Sequence, residues 1–378
     1  MTAHARACRI PRDVPVLTLA ADDAAALRSI GWRDEQLAQL PADTPPDRRV
    51  LRIVAQHRSG YRAHDGHDEL VVQAPARFSR GGSDPLAKPA VGDWILAAPG
   101  PEPLIETVLP RRTMLARGAA GERYVEQAIA ANVDTVFIVC GLDGDYNPRR
   151  VERYLVLIEG SGALAVVLLT KADLAEGADD KAKEIARLAG PAVPVFAVNA
   201  KDGGTRERLA GFLGPGQTAV LVGSSGAGKS TLTNTLMGLE RMKTGDVRES
   251  DSRGRHTTTH RALLKLPSGG CLIDTPGMRE LKLTAQTEVG EVTFADIEAL
   301  ATQCRFNDCR HAAEPGCAVR AALDSGGLDA ARWANYLKLR DERDAARDSA
   351  AAKREKKAND KVLGKALGKR LVEKYGKR

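Results

Sequence analysis

The sequence has no long apolar run and few aromatic residues, and each absence narrows the possible fold. The longest clearly apolar stretches, residues 136–140 and 163–169, fall far short of the ~20 residues that a membrane-spanning helix needs. Residues 1–10 contain no apolar segment of signal-peptide type, so we expect a cytoplasmic protein without a membrane partner. Aromatic residues make up 4% of the 378, against 36 glycines, which favours an α/β protein over an all-β one.

Cysteine is also scarce, and half of it is clustered. Three of the six cysteines are Cys304, Cys309 and Cys317, with His311 among them. In a chain expected to stay in a reducing compartment, such a cluster indicates a metal site rather than disulfides. Three thiolates and one imidazole form a closed ligand set that suits one structural Zn²⁺ ion. The alternative is that three reduced cysteines lie near a histidine by chance.

The net charge of +7 is concentrated at the C-terminal end. Residues 338–378, the basic tail, carry 15 Lys/Arg against 7 Asp/Glu, so the rest of the chain is close to neutral. The tail has almost no aromatic residue and is expected to be a solvated helix, disordered, or both. It either keeps the protein soluble or contacts a polyanion such as RNA.

Ahead of the tail, the pattern of the chain changes twice. Residues 1–47 predict an N-terminal extension with short helices near 22–29 and 34–40. Residues 48–115 contain short β-like runs separated by turn clusters, which predicts a small barrel. Trp94 and Tyr61 in this region either stack on bases or belong to the core. From about residue 130, strands and helices alternate as in an α/β domain.

The strongest motif is GSSGAGKS at residues 223–230, which follows the apolar run AVLV and precedes a helix-forming stretch. It matches GxxxxGK[ST], in which glycines let consecutive backbone N–H groups surround a β-phosphate at a helix N-terminus. Lys229 is expected to reach the β- and γ-phosphates, and the Ser230 hydroxyl to bind Mg²⁺. A glycine-rich turn without a ligand is the alternative. The predicted phosphate-binding residues are Gly223, Ser224, Ser225, Gly226, Ala227, Gly228, Lys229, Ser230 and Thr231.

Two further motifs, each directly after an apolar strand, favour GTP over ATP. The first is Thr170, Lys171, Ala172 and Asp173, which resembles the N/TKxD motif of GTPases. The Asp173 carboxylate can accept hydrogen bonds from guanine N1–H and the exocyclic amine, which adenine does not offer, while the Lys171 stem can lie over the base. Threonine at position 170 replaces the commoner asparagine, so we expect the loss of an amide that would brace the phosphate loop.

The second motif comprises Asn199, Ala200 and Lys201, which resemble the S/NAK loop whose backbone N–H meets guanine O6. Both motifs precede the phosphate loop, whereas an ordinary GTPase places them after it. The chain is therefore expected to be circularly permuted, which a doubly wound domain tolerates because its termini lie close together. An ATP-using P-loop enzyme is the alternative that Asp173 argues against.

The switch motifs follow the phosphate loop. The sequence DTPG at 274–277 matches DxxG, in which Asp274 holds Mg²⁺ through water and the Gly277 N–H meets the γ-phosphate. The segment GRHTTT at 254–259 occupies the position of a first switch, and Thr258 is the candidate among its threonines for binding Mg²⁺.

One departure from ordinary GTPases affects catalysis. Position 278 is Met, where many GTPases carry the glutamine that orients the attacking water. His256 is the candidate for that task, because an imidazole can orient water near neutral pH. The alternatives are a loop histidine with no catalytic task, or His260.

Taken together, VGDW (91–94), TKAD, GSSGAGKST, GRHTTT, DTPG and the Cys/His cluster resemble the ribosome-biogenesis GTPases of the RsgA (YjeQ) family, over roughly residues 48–320. The resemblance implies an OB-fold barrel, a circularly permuted α/β P-loop GTPase domain and a C-terminal α-helical zinc-binding domain. It also implies GTP hydrolysis stimulated by the small (30S) ribosomal subunit during its late assembly, and rRNA binding.

We expect a monomer that binds GTP or GDP with Mg²⁺. The alternative is a GTP-dependent RNA-binding switch in which hydrolysis is incidental. The expected division is extension 1–47, barrel 48–115, GTPase domain 116–285, zinc-binding domain 286–337 and tail 338–378.

Overall fold

The structure is a computed structural model that describes residues 17–57, 60–78, 84–118, 126–238, 261–274, 283–285, 287–289 and 292–375. In the N-terminal extension, helix α1 (Ala21–Arg28) and a 3₁₀ helix (Asp34–Gln39) form close to where the sequence predicts helices. Trp32, just after α1, is buried and meets Trp94 edge-to-face with ring centroids 4.9 Å apart. The described part of the extension, residues 17–47, is therefore packed onto the barrel.

The barrel consists of five short strands. They are β1 (Arg49–His57), β2 (Gly60–His64), β3 (Glu69–Val72), β4 (Trp94–Ala97) and β5 (Ile105–Val108). Strand β1 pairs with β2 and β4, β2 pairs with β3, and β4 pairs with β5, all antiparallel. A parallel bridge between Gln73 and Leu104 closes the ring in the order β1-β2-β3-β5-β4. Trp94 is 1% exposed, so it belongs to the core and does not present a stacking face.

The VGDW sequence forms a buried corner at the start of β4. The carboxylate of Asp93 is fully buried and accepts hydrogen bonds of 2.7 Å from Nε and Nη2 of Arg111. Burial raises the pKa of Asp93, although Arg111 opposes that shift. Gly92 has φ +94°, and a Cβ there would lie 2.1 Å from the carbonyl oxygen of Ala131. The motif therefore fixes the start of β4 to Arg111, which follows β5, and to Ala131.

A hairpin that the sequence did not reveal joins the barrel to the α/β domain. Its strands are β6 (Met114–Gly118) and β7 (Glu126–Ala131). The β7 sequence EQAIAA is rich in alanine, which has low strand propensity, so its pattern is weak. The expected boundary between residues 115 and 116 falls inside β6.

The α/β domain has alternating strands and helices as predicted. Its elements are β8 (Thr135–Gly141), α2 (Pro148–Ile158), β9 (Leu164–Thr170), α3 (Ala178–Ala189), β10 (Val195–Ala197), α4 (Gly203–Arg208), β11 (Thr218–Gly223), α5 (Lys229–Met237), β12 (Ala262–Lys265) and β13 (Cys271–Asp274). The strand order is β10-β9-β8-β11-β13-β12, parallel except for β12. All of β8 and β11 is buried, which explains their continuous apolar sequences. In sheets of this kind, ligands bind beyond the carboxyl ends of the strands, at the point where the strand order reverses.

Barrel and α/β sheet are joined through β1. Ala55 of β1 pairs with Ala262 of β12, so one path of paired strands runs through both units. Beside this junction the buried side chain of Arg52 donates hydrogen bonds to the Thr218 hydroxyl (2.9 Å) and to the carbonyls of Asn132 (3.2 Å), Gly92 (3.3 Å) and Ile30. Burial lowers the pKa of Arg52. This one cation connects the extension, the barrel and the sheet.

Residues 292–375, which the structure describes without a gap, form three helices: α6 (Ala295–Ala301), α7 (Ala318–Asp324) and α8 (Ala330–Tyr375). Helix α8 packs against α2 through charged groups. Glu152, fully buried, accepts hydrogen bonds from Arg149 (2.6 Å), Asn335 (2.6 Å) and Arg332. The basic tail is helical as far as Tyr375, and a helix was among the expected outcomes. Within the described part of the chain, no helix combines the length and apolarity needed to cross a bilayer.

Candidate nucleotide site and metal centre

The phosphate loop connects strand β11, inside the sheet, to helix α5. Strand β11 ends at Gly223 and α5 begins at Lys229, so the nine predicted residues form a strand–loop–helix corner. Gly223 has φ +146°, and a Cβ there would lie 2.2 Å from the carbonyl oxygen of Val139, which only glycine avoids. The Lys229 ammonium donates a 2.8 Å hydrogen bond to the Gly223 carbonyl and so curls over its own loop. Ser230 and Thr231 lie half-buried in the first turn of α5.

The TKAD motif lies at the end of β9, two strands away from β11. Thr170 is fully buried, and its hydroxyl donates a 2.6 Å hydrogen bond to the carbonyl of Ala227 in the phosphate loop. The expectation that threonine would forfeit the brace is therefore wrong, because a hydroxyl reaches the loop in place of the amide. Lys171 has a left-handed backbone with φ +61°. Asp173 is exposed, so it can discriminate strongly between bases only once a base covers it.

The NAK motif is held beside TKAD. Strands β9 and β10 pair in parallel, and the Ala172 N–H donates a 3.3 Å hydrogen bond to the Val198 carbonyl. The Asn199 side-chain oxygen accepts a 2.9 Å hydrogen bond from the Lys201 N–H, and the Thr235 hydroxyl of α5 donates to the Ala200 carbonyl at 2.6 Å. TKAD, NAK and the phosphate loop therefore meet at one edge of the sheet.

A polar loop that the motif analysis missed lies at the same edge. It connects β8 to α2 and contains Asp143 and Asp145. Asp143 forms an ion pair with Lys171, and the hydrogen bond from this lysine lowers the pKa of Asp143. Asp145 accepts a hydrogen bond from the Ser224 hydroxyl of the phosphate loop. The available signal was positional, because the sequence GLDGDYN directly follows an apolar strand whose carboxyl end faces the site.

Of the switch motifs, the structure describes only Asp274. It ends β13 next to β11, half-buried and opposite Ala262 in register. That position suits a carboxylate that holds Mg²⁺ through water close to Ser230. The other predicted switch residues, which are His256, Thr258 and Gly277, lie outside the described residues together with Met278 and His260.

The Cys/His cluster is assembled as a compact ligand set. One ligand atom from each of Cys304, Cys309, His311 and Cys317 lies within 4.8 Å of the others. The sulfurs of Cys304 and Cys317 are each 3.5 Å from His311 Nδ1 and 3.9 Å from one another. The donor chemistry and the spacing both fit a tetrahedral structural zinc ion. The Trp333 ring of α8 meets the His311 ring edge-to-face at 5.7 Å and supports its orientation.

Known proteins resemble this chain over most of its length. A family model described as RsgA GTPase matches residues 108–284. The small ribosomal subunit biogenesis GTPase RsgA of Xanthomonas euvesicatoria pv. vesicatoria is 55% identical over 337 residues, 88% of this chain and 92% of the relative. The protein of the same name from Xanthomonas campestris pv. campestris strain B100 is 54% identical over 333 residues, 86% of this chain and 91% of the relative.

Solved structures share the fold. YjeQ from Thermotoga maritima superposes with a TM-score of 0.55 at 26% identity, over 78% of this chain and 98% of that protein. YloQ, described as a circularly permuted GTPase, superposes with a TM-score of 0.51 at 23% identity, over 79% of this chain and 96% of that protein. The predicted fold class, a circularly permuted P-loop GTPase domain with a C-terminal Cys/His metal site, is confirmed.

Proposed function

The chain belongs to the RsgA GTPase family, and we propose on that premise that it hydrolyses GTP during the assembly of the small ribosomal subunit. The observation that carries the proposal is the meeting of the phosphate loop, TKAD and NAK at one sheet edge in permuted chain order. The names of the relatives supply the ribosomal subunit as the partner.

The motifs of the site bind different parts of GTP. Asp173 accepts hydrogen bonds from the guanine edge, and the stem of Lys171 covers the face of the base. Backbone N–H groups of residues 223–229 surround the β-phosphate, and Lys229 swings from the Gly223 carbonyl to the phosphates. Ser230, Asp274 and Thr258 would hold Mg²⁺, which when bound neutralises phosphate charge. Water then displaces GDP from the γ-phosphorus, giving phosphate.

The experiment that tests this function compares turnover with and without purified small subunits. We expect slow release of phosphate from GTP by the free protein, on the order of 10⁻⁴–10⁻² s⁻¹ as for intrinsic GTPases, and a large increase with subunits. ATP should not compete with GTP. Equal turnover with and without subunits would favour the second candidate, a switch that signals by GTP occupancy alone, and efficient competition by ATP would contradict the guanine assignment.

His256 is our proposal for the residue that orients water, because Met278 has no group to do so. His256→Ala should keep GTP binding and subunit binding but lose most of the stimulated rate. The matched variant is His260→Ala, four residues along the same segment, which should keep stimulation. Loss of stimulation in the His260 variant alone, or in neither variant, would remove His256 from the mechanism.

We also propose that the barrel is an OB-fold and that the barrel, the zinc-binding domain and the basic tail contact rRNA. The division of the chain into 1–47, 48–115, 116–285, 286–337 and 338–378 remains part of this proposal, as do a monomeric state and a cytoplasmic location.

Deleting residues 351–378 tests the contribution of the basic tail. The deletion removes most of the tail charge but spares Arg347, which donates a 2.9 Å hydrogen bond to Glu288. Subunit binding should weaken and its salt dependence should flatten. An unchanged salt slope would leave the tail only a solubilising role.

A further inference from the structure

Residues 142–147, the β8–α2 loop, contact both halves of the nucleotide site without belonging to any of its motifs. The loop leaves the carboxyl end of β8, which lies between β9 and β11. It therefore sits between the strand that carries TKAD and the strand that carries the phosphate loop. Its two carboxylates, Asp143 and Asp145, point in these two directions.

Asp143 acts on the base-reading side. Its carboxylate pairs with the ammonium of Lys171, whose side chain is 29% exposed while that of Asp143 is 46% exposed. A pair this accessible contributes little to folding stability. Its effect is to fix the end of a long flexible side chain whose stem has to cover the base. Gly141 allows the approach, because a Cβ there would lie 2.6 Å from Oδ1 of Asp143.

Asp145 acts on the phosphate side, and both of its oxygens are used. Oδ1 pairs with the Arg150 guanidinium, and Oδ2 accepts the hydrogen bond from the Ser224 hydroxyl. The Asp145 side chain is 18% exposed, so these contacts are better shielded from water than the Asp143 pair. The Asp145 N–H donates a 3.2 Å hydrogen bond to Oδ1 of Asp143, so the two carboxylates are positioned by one loop.

We propose that Asp143 and Asp145 are positioning residues for guanine-nucleotide binding, with Asp143 setting Lys171 against the base and Asp145 setting the phosphate loop at Ser224. Each carboxylate contacts a residue of the site, Lys171 or Ser224, so its loss raises the ordering cost of binding rather than removing a contact to the ligand. The inference rests on the proposed function, because it takes the ligand to be GTP or GDP.

The test separates the two ends of the nucleotide by competing GMP and GDP against a fluorescent GDP analogue. Asp143→Asn should weaken GMP and GDP equally, by about 3- to 10-fold, since it disturbs only the base side. Asp145→Ala should weaken GDP by about 3- to 10-fold and leave GMP unchanged, since GMP has no β-phosphate for the loop to surround. The control is Asp180→Asn on α3, which loses a more exposed carboxylate–lysine pair, with Lys183, and should change neither affinity.

Two further measurements distinguish positioning from a general loss of structure. Asp143→Asn should keep the parent's ratio of GTP to inosine triphosphate affinity, because Asp173 and not Lys171 reads the exocyclic amine that distinguishes them. Ser224→Ala should reproduce the Asp145→Ala profile, and the double variant should lose no more than either single one. Asp143→Glu should restore part of the lost affinity.

Opposite results would overturn the inference. It fails if Asp143→Asn binds GMP and GDP as the parent does, if the two loop variants give the same profile, or if Asp145 and Ser224 act additively. The parent chain's own preference for GDP over ADP is measured in the same assay. Absence of that preference would contradict the proposed function instead, so the two failures can be told apart.

Discussion

The hydroxyl of Thr170 donates a 2.6 Å hydrogen bond to the carbonyl of Ala227, so the last residue of β9 holds the loop that follows β11, on the other side of β8. Thr170 is fully buried, and little water competes for this bond. The site therefore keeps a brace between its base-reading and phosphate-binding halves although asparagine is replaced by threonine.

Removing that hydroxyl should weaken nucleotide binding without altering base choice. Thr170→Val keeps the shape of the side chain but leaves the Ala227 carbonyl unpaired, a cost of about 1–3 kcal/mol. We expect the dissociation constant for GDP, measured by fluorescence titration, to rise by about tenfold, with ADP still excluded. Thr170→Ser retains the hydroxyl and should behave like the parent. Parental affinity in the valine variant would show that the brace is immaterial.

Asp173 should determine which base is bound. In Asp173→Asn, an amide NH₂ replaces one acceptor, so the new side chain donates to the carbonyl of xanthine and meets the guanine amine unfavourably. One of the two hydrogen bonds to guanine is lost and the other is no longer charge-assisted, so GTP affinity should fall by about 100-fold or more while xanthosine triphosphate affinity rises. Calorimetric titration with both nucleotides gives the comparison. Equal binding of GTP by variant and parent would rule out the TKAD assignment.

The Cys/His cluster should hold one zinc ion per chain. Cys309→Ser should remove the metal and make residues 302–325 sensitive to protease, because metal-binding energy is folding energy in a small module. The control is Cys271→Ala, a buried cysteine of β13 outside the cluster, which should keep the metal. Elemental analysis of protein prepared without chelators measures both. A metal-free parent, or a Cys309 variant with full zinc content, would contradict the site.

Glu342 should stabilise the chain in a pH-dependent way. Its carboxylate accepts hydrogen bonds from Arg153 (2.7 and 2.8 Å) and from the Leu283 N–H (3.0 Å), just beyond the switch region. Burial of Glu342 opposes ionisation, but these donors outweigh it and hold the pKa of Glu342 below its ordinary 4.5. The stabilisation is therefore complete above about pH 4.5 and is lost as the pH falls through the lower folded pKa.

Glu342→Gln should accordingly lower the free energy of unfolding by about 1–3 kcal/mol at pH 7. The difference from the parent should shrink as the pH is lowered from 5 towards 3, as measured by urea unfolding. Glu288→Gln is the control, because the Glu288–Arg347 pair is about half exposed and should contribute little at any pH. A pH-independent difference would mean that packing and not charge explains the loss.

The parts of the site that the sequence predicted are those fixed by local pattern. Parallel strands buried on both faces read as apolar runs, and the phosphate loop, TKAD, NAK and the zinc ligands have characteristic spacings. The β8–α2 loop has no such spacing, and its role emerges only because β8 lies between β9 and β11. Strand β2 has no clear signal in the sequence, because GYRAH is short and mostly half-buried and lacks an alternation of apolar and polar residues.

The structural role of Arg52 could not be predicted from the sequence either, because its hydrogen-bond partners come from four distant segments. None of its hydrogen-bond partners among the described residues is a carboxylate. Removing the Arg52 side chain would leave buried carbonyl groups without donors. This lowers the free energy of unfolding wherever water cannot take the place of the guanidinium.

The pairing of Ala55 with Ala262 and the hydrogen bond of Arg52 to Thr218 both fix the barrel to the sheet. A displacement of the barrel would move β1 and with it β12, whose first residue, Ala262, lies three positions after the last residue of the GRHTTT segment. A ligand that immobilises the barrel would therefore also restrain the strand into which the GRHTTT segment runs.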